Sequence, residues 1–172
     1  MDSYEILKFT IPALLVFLTA WVLIDKHLKS DQKRREYDIR IKNQSITTPL
    51  KLRAYERLML VLERTTPTNM VVNAIEPSMN CFDLQAKLLQ TIREEFGHNA
   101  SQQIYVSNDL WTAMRSTQES MLKLVNMCAA MCTPELPASV LAQKIIEVYT
   151  QSEQSPGEVA AEMLKNEVRE LL

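Results

Sequence analysis

The sequence predicts an all-α protein, with one N-terminal transmembrane helix followed by a cytoplasmic helical bundle of about five helices. Three observations carry this. The run Phe9 to Ile24, FTIPALLVFLTAWVLI, holds no charged residue. Only two glycines, Gly97 and Gly157, occur in 172 residues, which disfavours a turn-rich β architecture. Beyond Thr48, apolar residues recur at helical spacing in segments bounded by prolines and capping residues.

The anchor is assigned to residues 1–25. Ile6 to Ile24 is 19 residues, which as a helix is roughly 28 Å, close to a hydrocarbon core of about 30 Å. Twelve of these residues are Ile, Leu, Phe or Val, each favouring insertion by about 0.3–0.6 kcal/mol near the centre of a bilayer. Pro12 falls in the first turns, where few backbone bonds are lost. Lys8 can extend to one interface, and Trp21 suits the other. A cleaved signal peptide would need a basic leader and a small-residue cleavage site, and neither is present. A core helix of a water-soluble domain would carry a polar stripe, also missing here.

Residues 26–47 read as a basic collar and linker with frayed helix. Lys26, Lys29, Lys33, Arg34 and Arg35 follow the apolar run, against Lys8 alone before it. The positive-inside rule then orients the chain N-terminus out and C-terminus in.

The remaining residues, 48–172, form the predicted helical domain. Thr48-Pro49 has the chemistry of a helix start, an N-cap with proline at the first helical position. Leu52, Tyr55, Leu58, Met59 and Leu62 share a face of the helix that follows. A short helical turn, Asn69 to Ile75, is boxed between Pro67 and Pro77. Phe82 to Phe96 turns Leu84, Leu88, Leu89, Ile92 and Phe96 inward. Gly97-His98-Asn99 resembles a helix end with a left-handed residue. Gln103 to Val106 is the one short stretch of strand-like composition. Ser107-Asn108-Asp109 caps the longest helix of the domain, which runs to about Cys132. Two apolar seams overlap on it, so it is expected to be central, with neighbours on two sides. Ala138 to Gln151 turns Leu141, Ile145, Val148 and Tyr149 inward. Ser155-Pro156-Gly157-Glu158 is a capping box that opens the last helix.

Composition narrows the function. The domain from Thr48 to Leu172 has 11 basic and 15 acidic residues, so nucleic acid is not an expected partner. Cys81, Cys128 and Cys132 are odd in number and fit a reducing compartment. With His98 they could supply four zinc ligands, but the spacing matches no common pattern and core thiols are expected instead. No metal or cofactor is expected. Phosphate loops, H-E-x-x-H and G-x-S-x-G are absent from the sequence. The densest polar cluster is His98, Asn99, Ser101, Gln102, Gln103 and Tyr105. Its bland role is to brace a helix–helix junction by bonding freed backbone groups. Its functional roles are partner binding, or catalysis with His98 as base.

Two stretches carry a resemblance. One is Thr48-Pro49-Leu50-Lys51-Leu52-Arg53-Ala54-Tyr55-Glu56-Arg57-Leu58 with Leu62-Glu63-Arg64. The other is Glu95-Phe96-Gly97-His98-Asn99-Ala100-Ser101-Gln102-Gln103-Ile104-Tyr105-Val106-Ser107 with Trp111. They resemble motifs of a family of small single-pass membrane proteins of unknown function from Bacteroidota. The resemblance implies a bacterial inner-membrane setting and no particular activity, so no catalytic residue follows from it.

The leading expectation is a membrane-tethered interaction or scaffold module, whose partners are the lipid bilayer and either another protein or a second copy of itself. The alternatives are an enzyme or ligand-binding domain with its site at His98 to Tyr105, and a homo-oligomeric membrane structural protein.

Overall fold

The computed structural model describes the backbone of residues 3–151 and 155–171. Side chains are described at 17, 19, 21, 23–27, 33–35, 37–151 and 155–171. Every regular element among the described residues is helical: α1 Ser3–Thr65, α2 Pro67–Ala74, α3 Cys81–His98, a 3-10 turn Ala100–Ile104, α4 Asn108–Ala130, α5 Ala138–Thr150 and α6 Pro156–Leu171. The chain divides into two compact units, Met1–Thr47 and Thr48–Leu172.

In the first unit the backbone is helical from Ser3 onward, including the expected collar. Among the described residues, no helix is long and apolar enough to cross a membrane. Much of the expected anchor falls outside that description, since the side chains of 6–16, 18, 20 and 22 are not among those described. Phe17 and Trp21, one helical turn apart, have ring centroids 6.3 Å apart.

The second unit begins inside α1, so the helix start expected at Thr48-Pro49 is corrected. The helix runs through both residues, although Pro49 has no N–H to give to the carbonyl of Ser45. Just upstream, the Ser45 and Thr47 hydroxyls donate to the carbonyls of Lys42 and Asn43. A hydroxyl that can bond back within the helix has no need to cap a new one. Thr65 does the same where α1 ends, donating to Val61 O at 2.7 Å, and Pro67 then opens α2 at its first position.

Helix α3 starts on a reciprocal cap that the sequence reading passed over. Asn80 Oδ1 accepts from Asp83 N at 2.8 Å, and Asp83 Oδ2 accepts from Asn80 N at 3.3 Å. The α4–α5 loop supplies carbonyls for the next free amides. Cys81 N donates to Leu136 O at 2.8 Å and Phe82 N to Pro134 O at 3.2 Å, while Ala138 N returns a bond to Met79 O at 3.0 Å. These bonds satisfy helix-end donors that would otherwise be orphaned, and they strap the start of α3 to the start of α5.

The core follows the helical stripes. Leu84, Leu88, Ile92 and Phe96 of α3 are buried, as are Leu110, Met114, Thr117, Met121, Val125 and Cys128 of α4. The buried face of α4 thus runs between the two seams read from its sequence, and α4 packs against α3, α5 and α6. One polar residue sits in that seam. Thr117 Oγ1 lies 2.9 Å from Ala113 O and 3.0 Å from Pro156 O, which ties the start of α6 to the middle of α4. The capping box on α6 forms as expected, with Ser155 N and Glu158 Oε2 at 3.3 Å and Glu158 N and Ser155 Oγ at 3.3 Å.

Gly97 is a second correction. No residue among those described has a positive φ, so α3 does not end on a left-handed residue. Instead α3 continues through Gly97 to His98 and passes directly into the 3-10 turn through Asn99, at φ −106° and ψ 7°. A Cβ built on Gly97 meets nothing within 4 Å. Gly97→Ala is therefore expected to stabilise the domain by about 0.5–1 kcal/mol, the helical cost of glycine, measured by denaturant melts. A loss of stability would place an unseen constraint at this position.

Candidate functional site

The connector from α3 to α4 carries the polar cluster singled out in the sequence, and the structure distributes its members rather than converging them. Asn99 braces the helix end, with Nδ2 donating to Glu95 O at 2.9 Å. The 3-10 turn closes on Gln102 N to Asn99 O and Tyr105 N to Gln102 O, both 3.0 Å. Gln102 Nε2 lies 3.4 Å from Ser101 Oγ on the exposed side. His98 and Gln103 are exposed and make no side-chain hydrogen bond among the described residues. Ile104, at the tip, is 74% exposed. The turn separates two grooves. Tyr105 lines one of them and Gln103 lines the other.

The first groove has a volume of about 690 Å³ and is bordered by Lys51 of α1, by Ile104 to Ser107 and Asp109, and by Met163, Asn166, Glu167, Glu170 and Leu171 of α6. Glu167 is its hub. One carboxylate oxygen accepts from Tyr55 Oη at 3.0 Å and Ser107 N at 3.3 Å, and the other accepts from Ser107 Oγ. Ser107 Oγ in turn accepts from Leu110 N at 3.0 Å, which makes Ser107 the N-cap of α4. Three helices and the connector thus meet on one carboxylate. Burial, then the hydrogen bond from the phenol to Glu167 and the negative charges of Glu167 and Glu170, push the Tyr55 hydroxyl up to about 12. It is held as a proton donor and is not available as a base or nucleophile. Ser107 is likewise committed, since its proton goes to Glu167 and its oxygen caps α4. This is the arrangement of a structural junction.

The second groove, about 330 Å³, lies between α3 and α4. Arg93, Phe96, Gly97 and Ala100 line one side, Trp111, Met114, Arg115 and Gln118 line the other, and Gln103 of the turn completes it. Arg93, Phe96 and Gly97 share a face of α3, with Ala100 just beyond it in the 3-10 turn, and Trp111, Met114, Arg115 and Gln118 share a face of α4. Phe96 and Met114 are buried and Trp111 is half-buried, while both arginines reach solvent.

The three thiols gather at the opposite end of α3. Cys81 Sγ donates to Pro137 O at 3.4 Å and Cys132 Sγ to Cys128 O at 3.3 Å. Burial raises the pKa of both Cys128 and Cys132, and for Cys132 the adjacent Cys81 thiol raises it further. The thiolate form is thereby disfavoured at Cys128 and Cys132. His98 lies at the far end of α3 from Cys81, roughly 25 Å along the helix, so the four sulfur and nitrogen groups do not form one ligand set. Among the described residues, no group of three or more His, Cys, Asp or Glu side chains is placed to hold a metal ion.

Two features were not singled out in the sequence reading. Glu167 had a visible signal: with Met163 and Leu171 it lies on one stripe of α6, and a carboxylate on an apolar stripe requires a partner. The groove of Arg93 and Arg115 had none, because the residues are 22 apart in sequence and only the pairing of α3 with α4 joins them.

No curated protein and no solved structure matches this chain. The family of unknown function DUF7935 matches residues 1–171, and the chain belongs to that family.

Proposed function

We propose that this protein is a helical interaction module tethered to a membrane by its N-terminal segment, with the domain from Thr48 on the cytoplasmic side. The observation that carries the reading is the apolar run ending at Ile24. Its described large apolar side chains, Phe17, Trp21, Leu23 and Ile24, are all at least 60% exposed. Exposure of that kind is unfavourable in water and favourable in lipid, at about 25 cal/mol per Å² of apolar surface. The five Lys and Arg side chains that follow within Lys26 to Arg35 favour the cytoplasmic face of a membrane. The interaction half of the reading is supported by apolar side chains left uncovered around the strap at the start of α3, notably Phe82, Met131 and Leu136.

The expected result is that the full chain stays with membranes after alkaline carbonate extraction and that deletion of residues 1–25 releases it. A reporter active only outside the cytoplasm, fused after Leu172, is silent. A photo-crosslinking residue at position 82 gives a discrete adduct, and one at Asn73 does not. Recovery of the intact chain from the soluble fraction overturns the tether, and reporter activity overturns the orientation. Equal labelling at 82 and 73 overturns the interaction surface.

A further inference from the structure

We propose that the groove between α3 and α4 binds an acidic peptide segment of a partner protein, with Arg93 and Arg115 holding carboxylates and the Trp111 indole packing an apolar side chain between them. This deepens the reading of the domain as an interaction module.

The two guanidiniums come from different helices and share one groove whose lining contains no carboxylate. Among the described residues, neither has an ion-pair or hydrogen-bond partner. In the same groove, Trp111 is half-buried and its N–H has no partner among the described residues. Gln103 and Gln118 add two amides, each able to give and accept a hydrogen bond, as an extended peptide backbone requires. Arginine and tryptophan in a partly desolvated groove are the residues that dominate protein–protein binding energies. A guanidinium also matches a carboxylate in a two-bond fork.

Charge selects the occupant. The domain carries 15 acidic and 11 basic residues, and charges beyond about 8 Å are largely screened at physiological salt. The lining itself offers a ligand two positive groups and no carboxylate, with Glu94 and Glu119 lying outside it. A bilayer surface or a nucleic acid extends past the groove and meets the acidic surplus. A short acidic segment with interleaved apolar side chains therefore fits the groove better than either.

The test uses the full chain in detergent micelles with Trp21→Phe, which leaves Trp111 as the only tryptophan. The probe is a short synthetic peptide alternating glutamate and leucine, with the glutamine-for-glutamate version as control. Saturable quenching or a spectral shift of Trp111 is expected with the acidic peptide alone, weakened at least about tenfold by Arg93→Gln with Arg115→Gln, since each charged fork contributes roughly a factor of ten. Raising salt weakens it further. Both arginines are solvent-exposed, so the double variant keeps the parental melting temperature. Gly97→Leu, whose Cβ enters open space, blocks the groove without removing charge and lowers affinity as well. Equal binding of the acidic and neutral peptides overturns the proposal, as does full binding by the double variant. A response to phosphatidylglycerol vesicles with none to the peptide also overturns it, in favour of a lipid site. Adduct formation at position 82 is independent of the groove, so its persistence alongside a failed titration overturns the groove and spares the interaction module.

Discussion

Leu88→Ala is expected to lower the unfolding free energy of the domain by about 2–5 kcal/mol, and Leu89→Ala by only about 1 kcal/mol. The two leucines are adjacent and chemically identical, so the contrast isolates burial. Leu88 is fully buried on the stripe with Leu84 and Ile92, facing the core that α3 shares with α2, α4 and α5. Leu89 is only partly buried at its edge. Removing Leu88 deletes three buried carbons and leaves a cavity that surrounding helices fill only in part. Urea denaturation of Thr48–Leu172 by circular dichroism reads both values. Equal losses for the two variants would mean that α3 is rotated away from the register that buries Leu84, Leu88 and Ile92.

Much of that register was legible in the sequence. Leu84, Leu88, Ile92 and Phe96 stand at 4, 4 and 4 with polar Gln90 and Glu94 between them, a pattern that one face of a helix satisfies and the alternation of a strand does not. Ser107 and the Ser155–Glu158 box were readable as caps because their side chains act on amides two or three residues away, a purely local matter. The misreadings arose where local chemistry allows two outcomes. Thr48-Pro49 fits a helix start, yet α1 is already helical when it reaches them, and a proline inside a helix costs about 3 kcal/mol, which continued helix on both sides can offset. Gly97 fits a left-handed stop, yet a 3-10 turn leaves α3 without one. The polar cluster was visible as composition, but the placing of Tyr105 in one groove and Gln103 in the other was not. At three residues per turn, residues two apart do not share a face, so Gln103 and Tyr105, the residue that follows the turn, serve different surfaces, and the helices that form those surfaces are distant in sequence.

Glu167→Ala is expected to cost the domain about 2–3 kcal/mol, because it leaves the Tyr55 phenol and the Ser107 amide and hydroxyl without their shared charged acceptor. Glu167→Gln keeps the size and one accepting oxygen, and is expected to fall between the alanine variant and the parent. The same junction gives the fold an alkaline limit. In the unfolded chain the Tyr55 phenol ionises near 10, while in the fold burial and the neighbouring carboxylates hold it to about 12. Folding therefore favours the protonated phenol. The stability linked to it is fully present below pH 10 and is lost progressively as pH rises from 10 to about 12, because the unfolded state releases its proton first. Tyr55→Phe cannot ionise, so its stability falls less steeply over that window even though it starts below the parent at pH 7 by about 1 kcal/mol, the lost hydrogen bond. In Glu167→Ala the burial of Tyr55 remains and the hydrogen bond and nearest charge are gone, so its alkaline slope lies between those of parent and Tyr55→Phe. Urea melts of the three proteins at pH 7, 10 and 11.5 measure this ordering. Parallel losses in parent and Tyr55→Phe would show that the phenol is not held protonated in the fold, and the junction on Glu167 would then have to be redrawn without it.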